Sequence, residues 1–265
     1  PWRIVSLCNS AGPCLDHHQA RGLAAMSVSD ATGLSYRPHP KDGNRLRRIG
    51  KRLFLIRAAM RLAREQRPAL VHAHDESSAL AWGLAGRRYG FPVLWHVHQH
   101  LPQKWTDPSL VRLSTHMLFI AEANRSRFTG KRIPPSTLIP NAVDLTRFSP
   151  DGAPAFPHEG PTVGFINNLV ARKRPDWIVR AVGALRREGL PARLLIAGDD
   201  FSGGKDANDL ARLAEQEGLG DAYRYLGPRS DVPALLRSVD VVALSSMAGR
   251  EGAPRILVEA AAPSS

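Results

Sequence analysis

The sequence predicts an α/β protein built from two Rossmann-like, doubly wound parallel-sheet domains that face a cleft. Three observations lead to this fold class. Short apolar runs rich in β-branched residues alternate with segments of helical periodicity, as in parallel sheets covered by helices on both faces. A stretch dense in proline and glycine (140–161) separates two such series. The halves also differ in charge, since residues 1–148 hold 22 basic and 9 acidic side chains and residues 149–265 hold 14 and 15.

The first half contains four predicted strands, which are residues 2–7, 69–74, 91–98 and 116–121. Between the second and third of them, residues 77–90 have a helical pattern. Gly90 stands at its end, where a residue without a Cβ closes a helix easily. The alternation of strand and helix indicates a parallel sheet.

The second half repeats this alternation more clearly. Its predicted strands are residues 162–167, 193–198, 223–227 and 240–246, and its predicted helices are 175–189, 207–218 and 232–239. Pro175 occupies a first helical turn, and Gly189 and Gly218 follow helices. We therefore expect one domain over residues 1–148 and another over residues 149–265, joined by the stretch at 140–161.

Composition narrows the class of protein. No apolar run reaches the length of a membrane span, and the N-terminal residues lack the basic and apolar regions of a signal peptide. Cys8 and Cys14 are the only cysteines, too few for a disulfide framework. We therefore expect a cytoplasmic protein with reduced thiols.

Residues 37–67 carry most of the excess positive charge, with 11 basic and 2 acidic side chains. Apolar residues recur there at steps of three and four, which places them on one face of a helix: Leu46, Ile49, Leu53, Ile56 and Met60. Three interpretations stay open: a core helix with a solvated basic back, a helix on an anionic membrane surface, and a nucleic-acid contact. Nucleic acid is the least favoured, because Phe54 is the only aromatic residue among the basic ones and no nucleic-acid-binding motif is present.

Polar residues follow the predicted strands. In doubly wound sheets, ligands bind outside the carboxyl ends of the strands, so these residues are candidates for the site. Glu251 lies on a loop before a helix that begins near Pro254, and Glu259 lies inside that helix. A carboxylate in such a loop can accept hydrogen bonds from sugar hydroxyls, and Gly252 lets the backbone approach a ligand closely.

An ordered series of segments resembles the family 4 retaining glycosyltransferases of the two-Rossmann-domain GT-B type. The resemblance covers roughly residues 69–262. Its segments are PALVHAH, PVLWHVH, LIPNAVDLTRFSP, VGFINNLVARKRPDWIVRAV, RLLIAGD, YRYLGPRSDVPALLRSVDVVALSS and EGAPRILVEA. It implies an acceptor-side domain at 1–148, a donor domain at 149–265, and transfer of a sugar from a nucleoside diphosphate-sugar to an acceptor hydroxyl with retention of anomeric configuration.

The resemblance also assigns roles in the donor domain. Glu251, with the amides of Gly252 and Ala253, would hold the donor sugar, and Glu259, the second member of an E-x7-E pair, would bind the ribose. Lys173 matches the lysine that clamps the diphosphate. Asn168 stands where the family has an arginine, which removes a fixed cation and a bidentate donor. Arg172 or Arg174 would then compensate.

Further positions carry weaker expectations. His98 matches a family histidine near the sugar and acceptor, Gly198 a glycine after a strand, Gly227 with Pro228 a turn beside the base, and Gly12 a glycine-rich loop of which it is the single glycine. An alternative stays open for the histidines. His72 with His74, and His96 with His98, lie two apart and face the same side, so that either pair is a candidate metal ligand.

We expect no metal and no cofactor for the transfer itself. The sequence contains no D-x-D motif, the usual sign of a divalent metal on the diphosphate, and no Asp or Cys nearby completes a histidine set. The expected partners are a nucleotide-sugar donor and a sugar or lipid-linked acceptor, with residues 37–67 on the inner membrane face.

Two other functions stay open. One is a catalytically inactive GT-B fragment, because the family continues beyond EAAA with a further strand and helices and this chain ends at PSS, as if its second domain were truncated and incomplete. The other is a basic nucleic-acid-binding protein, which rests on residues 37–67 alone.

Overall fold

The computed structural model of the protein describes residues 3–8, 12–32, 45–98, 102–157, 159–249 and 251–262. The described residues divide into two compact units, the first ending at Ile139 and the second beginning at Pro140. In both units, parallel strands alternate with helices, which confirms the predicted α/β class.

The first unit is organised around a parallel sheet in the order β3-β4-β5-β6, and β1 pairs in parallel with β2. Its strands are β1 (Val5–Cys8), β2 (Ala24–Ser27), β3 (Val71–Ala73), β4 (Val93–Val97), β5 (His116–Phe119) and β6 (Ser136–Leu138). Its helices are α1 (Pro13–Ala20), α2 (Val28–Thr32), α3 (Arg45–Gln66), α4 (Glu76–Tyr89), α5 (Asp107–Leu113) and α6 (Glu122–Arg125). The sequence patterns missed β2, β6 and the short helices.

The two faces of this sheet differ. Val93, Trp95 and Val97 of β4 are buried in the core of the unit, against residues of α3, α4 and α5. Since side chains alternate along a strand, His96 and His98 lie on the opposite face. Helix α4 ends as predicted, because Gly90 closes it in the left-handed conformation at φ 80°.

The apolar stripe predicted for the basic helix is partly wrong. Ile49 and Leu53 are exposed on α3 (45% and 51%), and the side chain of Leu46 lies outside the described residues. The buried face consists of Leu55, Ala58, Ala59, Leu62 and Ala63. The prediction counted only large apolar residues, whereas α3 packs on α4 mainly through alanines, which let two helices approach closely. None of the described helices has the length and apolar character that a membrane span requires.

The second unit contains a parallel sheet in the order β10-β7-β8-β9. Its strands are β7 (Thr162–Ile166), β8 (Arg193–Ala197), β9 (Tyr223–Tyr225) and β10 (Val241–Val242). Its helices are α7 (Pro175–Arg187), α8 (Lys205–Gln216), α9 (Val232–Leu236) and α10 (Arg255–Ala261). The sequence predicted each of these elements. Strand β10 is shorter than predicted, because the chain leaves the sheet before Ser245 and forms a loop.

The stretch interpreted as a linker packs on the second unit instead of running free. Phe148 is buried beside Leu236 and Ile256. The Arg237 guanidinium donates to the carbonyl of Ser149 at 3.0 Å. Proline and glycine remove regular structure from a segment without preventing it from packing on its neighbours.

Candidate functional site

The second unit carries a pocket beside the carboxyl ends of β7 and β8. Its volume is about 420 Å³, within the roughly 300–1,000 Å³ range of small-molecule sites. The structure brings together these residues predicted for the site: Asn168, Lys173, Gly198, Ala253, Glu251 and Glu259. The rest of the lining consists of Ile166, Asn167, Ala197, Arg229, Val232, Pro254, Arg255 and Ile256.

Glu251 lies at the centre of the charged contacts in this pocket. One carboxylate oxygen, Oε1, pairs with the Lys173 ammonium, with Arg172 Nη1 at 3.0 Å and with the hydroxyl of Ser246 at 2.9 Å. Burial favours the neutral acid, but the hydrogen bonds from Lys173 and Ser246 and the charges of Lys173 and Arg172 outweigh it and lower the pKa of Glu251. Glu251 is therefore an ionised acceptor at neutral pH.

Two loops that bond to each other hold Lys173 in place. Lys173 ends a 3-10 turn (Ala171–Lys173) and is only 6% exposed. The hydroxyl of Ser245 donates to the carbonyl of Lys173 at 2.9 Å, and the backbone N–H of Met247 donates to the carbonyl of Arg172 at 2.9 Å. The loop after β10 thus positions the cation and also supplies Ser246 and Glu251.

The two arginines expected to compensate for Asn168 have different partners. Arg174 forms a bidentate pair with Asp176 at 2.6 and 2.9 Å. Arg172 instead contacts Glu251 and is 51% exposed. Asn168 itself accepts a hydrogen bond from the backbone N–H of Asp199 at 3.3 Å. Of the two arginines, Arg172 is the one beside Lys173 at the carboxylate.

Gly198 stands where two strand ends come close together. Its φ is +152°, and a Cβ added there would lie 2.0 Å from the carbonyl oxygen of Asn167, so the position requires glycine. The Gly198 N–H donates to the carbonyl of Gly227 at 2.9 Å, which places the predicted Gly227-Pro228 turn next to the pocket rim. The residue after that turn, Arg229, lines the pocket and pairs with Asp231.

Helix α10 starts as predicted and presents Glu259 to the pocket. Glu259 is 13% exposed and pairs with Arg255 one helical turn earlier at 3.0 Å. The loop that carries Gly252 and Ala253 is fixed from outside the helix, since the side chain of Asn141 donates to the carbonyl of Ala253 at 2.9 Å.

His98 and Gly12 lie in the first unit. Gly12 caps α1 with φ +145°. His98 is one of a group of four histidines at the ends of β3 and β4, and its Nε2 lies 3.1 Å from Nδ1 of His74. Burial lowers the pKa of all four rings; the other histidines add to this for His72, His96 and His98, and the Asp75 charge opposes it for His74. The pKa of His96 falls to about 4.

Sequence reasoning missed several residues that shape the pocket. Ser245 and Ser246 fall at the end of the predicted strand 240–246, and Asn141 and Arg229 fall within longer segments of the resemblance. A usable signal existed for the serines, because hydroxyls at the carboxyl end of a parallel strand commonly serve the site there. Asn141 gave no such signal, since its partner Ala253 is far away in sequence.

Two protein families match the chain. The family described as Glycosyltransferase Family 4 matches residues 7–147, and the family described as Glycosyl transferases group 1 matches residues 151–263. The two matches follow each other along the chain and together span nearly all of it.

Individual relatives agree with these matches. D-inositol 3-phosphate glycosyltransferase of Salinispora arenicola is 27% identical over 217 residues, which covers 67% of this chain and 48% of that protein. GDP-mannose-dependent alpha-(1-6)-phosphatidylinositol monomannoside mannosyltransferase of Mycobacterium tuberculosis is 33% identical over 137 residues, which covers 48% of this chain and 34% of that protein. The chain thus spans about half the length, or less, of these relatives.

A solved structure shares the fold. Anabaena Alr3699/HepE, crystallised with UDP and glucose, superposes with a TM-score of 0.75 at 18% identity and covers 97% of this chain and 70% of that one. This likeness confirms the predicted GT-B fold class. Since the family 4 match alone extends over more than half of the sequence, the chain belongs to glycosyltransferase family 4.

Proposed function

We propose that the chain transfers a sugar from a nucleoside diphosphate-sugar to an acceptor hydroxyl with retention of anomeric configuration. The observation that carries the proposal is the grouping of Lys173, Glu251 and Glu259 around one pocket of about 420 Å³ in a member of this family. A cation, an ionised carboxylate and a second carboxylate are the groups that a diphosphate, a sugar and a ribose require.

Lys173 and Arg172 bind the donor diphosphate in this proposal. Both cations contact the single carboxylate of Glu251 in the structure, so a diphosphate takes the place of that carboxylate. Glu251 is then released to accept hydrogen bonds from the sugar hydroxyls, together with the amides of Gly252 and Ala253. The exchange keeps the buried ammonium of Lys173 paired with a negative charge before and after binding.

The remaining donor contacts follow from the pocket. Glu259, oriented by Arg255, accepts hydrogen bonds from the ribose hydroxyls. Gly198 and the Gly227-Pro228 turn border the base, and Asn168 lies beside them. The resemblance alone, and not the pocket, assigns Gly12 to a loop near the phosphates.

The transfer step needs no covalent enzyme intermediate. The bond from the anomeric carbon to the diphosphate breaks, the acceptor oxygen bonds to the same face, and the acceptor proton passes to the departing phosphate oxygen. Lys173 and Arg172 stabilise the charge that develops on that oxygen without a metal ion. His98 positions the sugar and acceptor, and Glu251 holds the sugar.

Titration calorimetry of the chain with UDP and GDP tests the donor site. We expect saturable binding of one nucleotide. Lys173→Met should weaken that binding at least about 30-fold, which corresponds to the lower end of the cost of truncating one partner of a charge pair, about 2 kcal/mol. Glu259→Gln should also weaken it.

Lys205→Met is the matched control, because Lys205 belongs to the same unit, is exposed and pairs with Asp209. It should leave nucleotide affinity unchanged. Absence of binding by the folded chain, or equal losses in the Lys205 and Lys173 variants, would contradict the donor site. If binding is confirmed, the anomeric configuration of the product of a nucleotide-sugar reaction, read by proton NMR, tests retention.

The acceptor we propose is a sugar or a lipid-linked sugar at the inner membrane face, in a cytoplasmic protein that binds membranes peripherally. Exposed Ile49 and Leu53 on α3 support this, since they lie among exposed arginines that include Arg52 and Arg57. Vesicle cosedimentation tests it. Binding should increase with anionic lipid and fall in Arg52→Glu/Leu53→Ser, whereas Arg187→Glu on the second unit should have no effect. Binding that is indifferent to anionic lipid would exclude a membrane role for α3.

A further inference from the structure

Four histidines come together at the ends of β3 and β4. The strands pair in parallel with His72 beside Leu94, so His72 and His74 share a sheet face with His96 and His98. Neighbouring ring centroids lie between 4.0 and 5.6 Å apart. Because side chains alternate along a strand, the two histidines of each strand share a face. The pairing of β3 with β4 then brings the histidines of the two strands together.

The ring nitrogens already stand at the spacing of metal ligands. Nε2 of His72 lies 3.2 Å from Nδ1 of His96. Two nitrogens bound to one tetrahedral Zn²⁺ at about 2.0–2.1 Å are about 3.3 Å apart. One ligand atom from each of His72, His74 and His96 falls within 4.8 Å of the others. Small side-chain rotations would therefore complete a three-nitrogen set.

The rings also supply the kind of atom that a metal ion needs, since an imidazole nitrogen without a proton offers a free lone pair. In addition, Nε2 of His96 is buried with no hydrogen-bond partner among the residues that the structure describes. A buried polar atom without a partner costs free energy, so hydrogen bonds among the described residues do not fully satisfy the group.

We propose that His72, His74 and His96 form a binding site for a transition-metal ion of the Zn²⁺ class. Imidazole nitrogens prefer Zn²⁺, Cu²⁺ and Ni²⁺ to the oxygen-loving Mg²⁺ and Ca²⁺. His74 binds the ion through Nε2, the nitrogen that does not face His98. His98 does not touch the ion but orients the His74 ring through its contact with Nδ1. The three ligands belong to the first unit, whereas the donor pocket is formed by residues of the second. His98, which the proposed transfer uses, is not a ligand, so the Zn²⁺ test does not depend on that transfer.

Another group of residues that could bind a metal ion has to be disabled before the histidine site is tested. Cys8, Cys14 and His18 also place ligand atoms within 4.8 Å of one another. All measurements therefore use the full-length, tag-free chain with Cys8→Ser and Cys14→Ser, so that bound metal cannot be held by thiolates. The experiment measures Zn²⁺ affinity by competition with a chromophoric chelator, and Co²⁺ binding by its visible absorption.

We expect one Zn²⁺ per chain, and intense Co²⁺ bands typical of a low-coordinate site. His96→Gln and His72→Gln should each weaken Zn²⁺ binding by more than about 100-fold, because losing a second-layer partner alone costs about 10–100-fold. His98→Gln should fall within that lower range. Mg²⁺ should not compete. Because His72 is exposed, its variant tests the site even if His96→Gln folds poorly.

His116→Gln is the matched control. His116 lies on the next strand, β5, and bonds to Thr137 at 2.9 Å instead of joining the group. Its variant should bind Zn²⁺ as the parent chain does. Absence of Zn²⁺ binding, or equal affinity in the His72, His96 and His116 variants, would overturn the proposal and leave the four rings as a hydrogen-bonded cluster.

Discussion

The two larger parallel sheets among the described residues end in different chemistry. In the first unit, β3 and β4 end in histidines whose pKa is lowered, to about 4 for His96. In the second unit, the loops beside β7 and β8 hold Lys173 paired with Glu251 at the edge of a pocket. Neutral rings offer lone pairs and an ammonium offers charge, so one sheet edge suits a metal ion and the other a phosphate-bearing ligand.

The first unit does contain a strong ion pair, but it lies in the interior. The side chains of Arg127 and Asp107 are 1% and 0% exposed and pair at 2.5 Å. The side chains of Lys173 and Glu251 are 7% and 22% exposed, and both border the pocket. The two ion pairs therefore differ in access: the Arg127–Asp107 pair is closed to solvent, whereas the Lys173–Glu251 pair borders a pocket.

The largest expected effect comes from breaking the interior pair. Arg127→Met leaves the carboxylate of Asp107 buried without its partner, which costs about 3–5 kcal/mol. The free energy of unfolding, measured by urea denaturation and circular dichroism, should fall by that amount. Nucleotide affinity should stay unchanged at temperatures where the variant is folded, because Arg127 belongs to the first unit.

Arg112→Met provides the control for this variant, since Arg112 lies on α5, the same helix as Asp107, but is exposed. Its effect should stay within about 0.5 kcal/mol, as for most surface substitutions. A similar small loss in the Arg127 variant would show that the interior pair does not hold the first unit together, and the contrast between the two units would fail.

Much of the fold was readable from the sequence because its signals are local. The alternation of apolar runs and helical periodicity predicted β7, β8, α7 and α8, and Gly90 predicted the end of α4. Helix α3 resisted the same reasoning. Its buried face includes Ala59 and Ala63 in one cluster with residues of α4, and alanine contributes little to an apolar pattern although it decides how closely two helices pack.

The sequence predicted residues of the candidate site only where they belong to a recognisable motif. The resemblance identified Lys173, Glu251 and Glu259, and the structure places them around one pocket. Ser245 and Asn141, which fix the loops, depend on contacts between segments distant in sequence. The histidine group has the same origin: alternation predicted each pair, but the pairing of β3 with β4 was needed to join them.

The smallest expected effect is on the pH dependence of the free energy of unfolding, and it concerns the pair of Lys173 and Glu251 in the pocket. The pKa of Glu251 is lowered in the folded protein, chiefly by Lys173 and Ser246 against the opposing effect of burial. A carboxyl whose folded pKa lies below its unfolded value, about 4.3 for glutamate, stabilises the protein above that value and loses the contribution as the pH falls through the folded pKa.

Glu251→Gln removes this titration, so its free energy of unfolding should decrease less between neutral pH and pH below about 4 than that of the parent chain. Other carboxyls with lowered pKa, such as Asp200, are common to both chains and cancel in the difference. Urea denaturation over a series of pH values measures that difference. Parallel curves for the two proteins would mean that Lys173 does not hold Glu251 ionised. The donor site would then lack the charge exchange proposed for diphosphate binding, even if nucleotide affinity were confirmed.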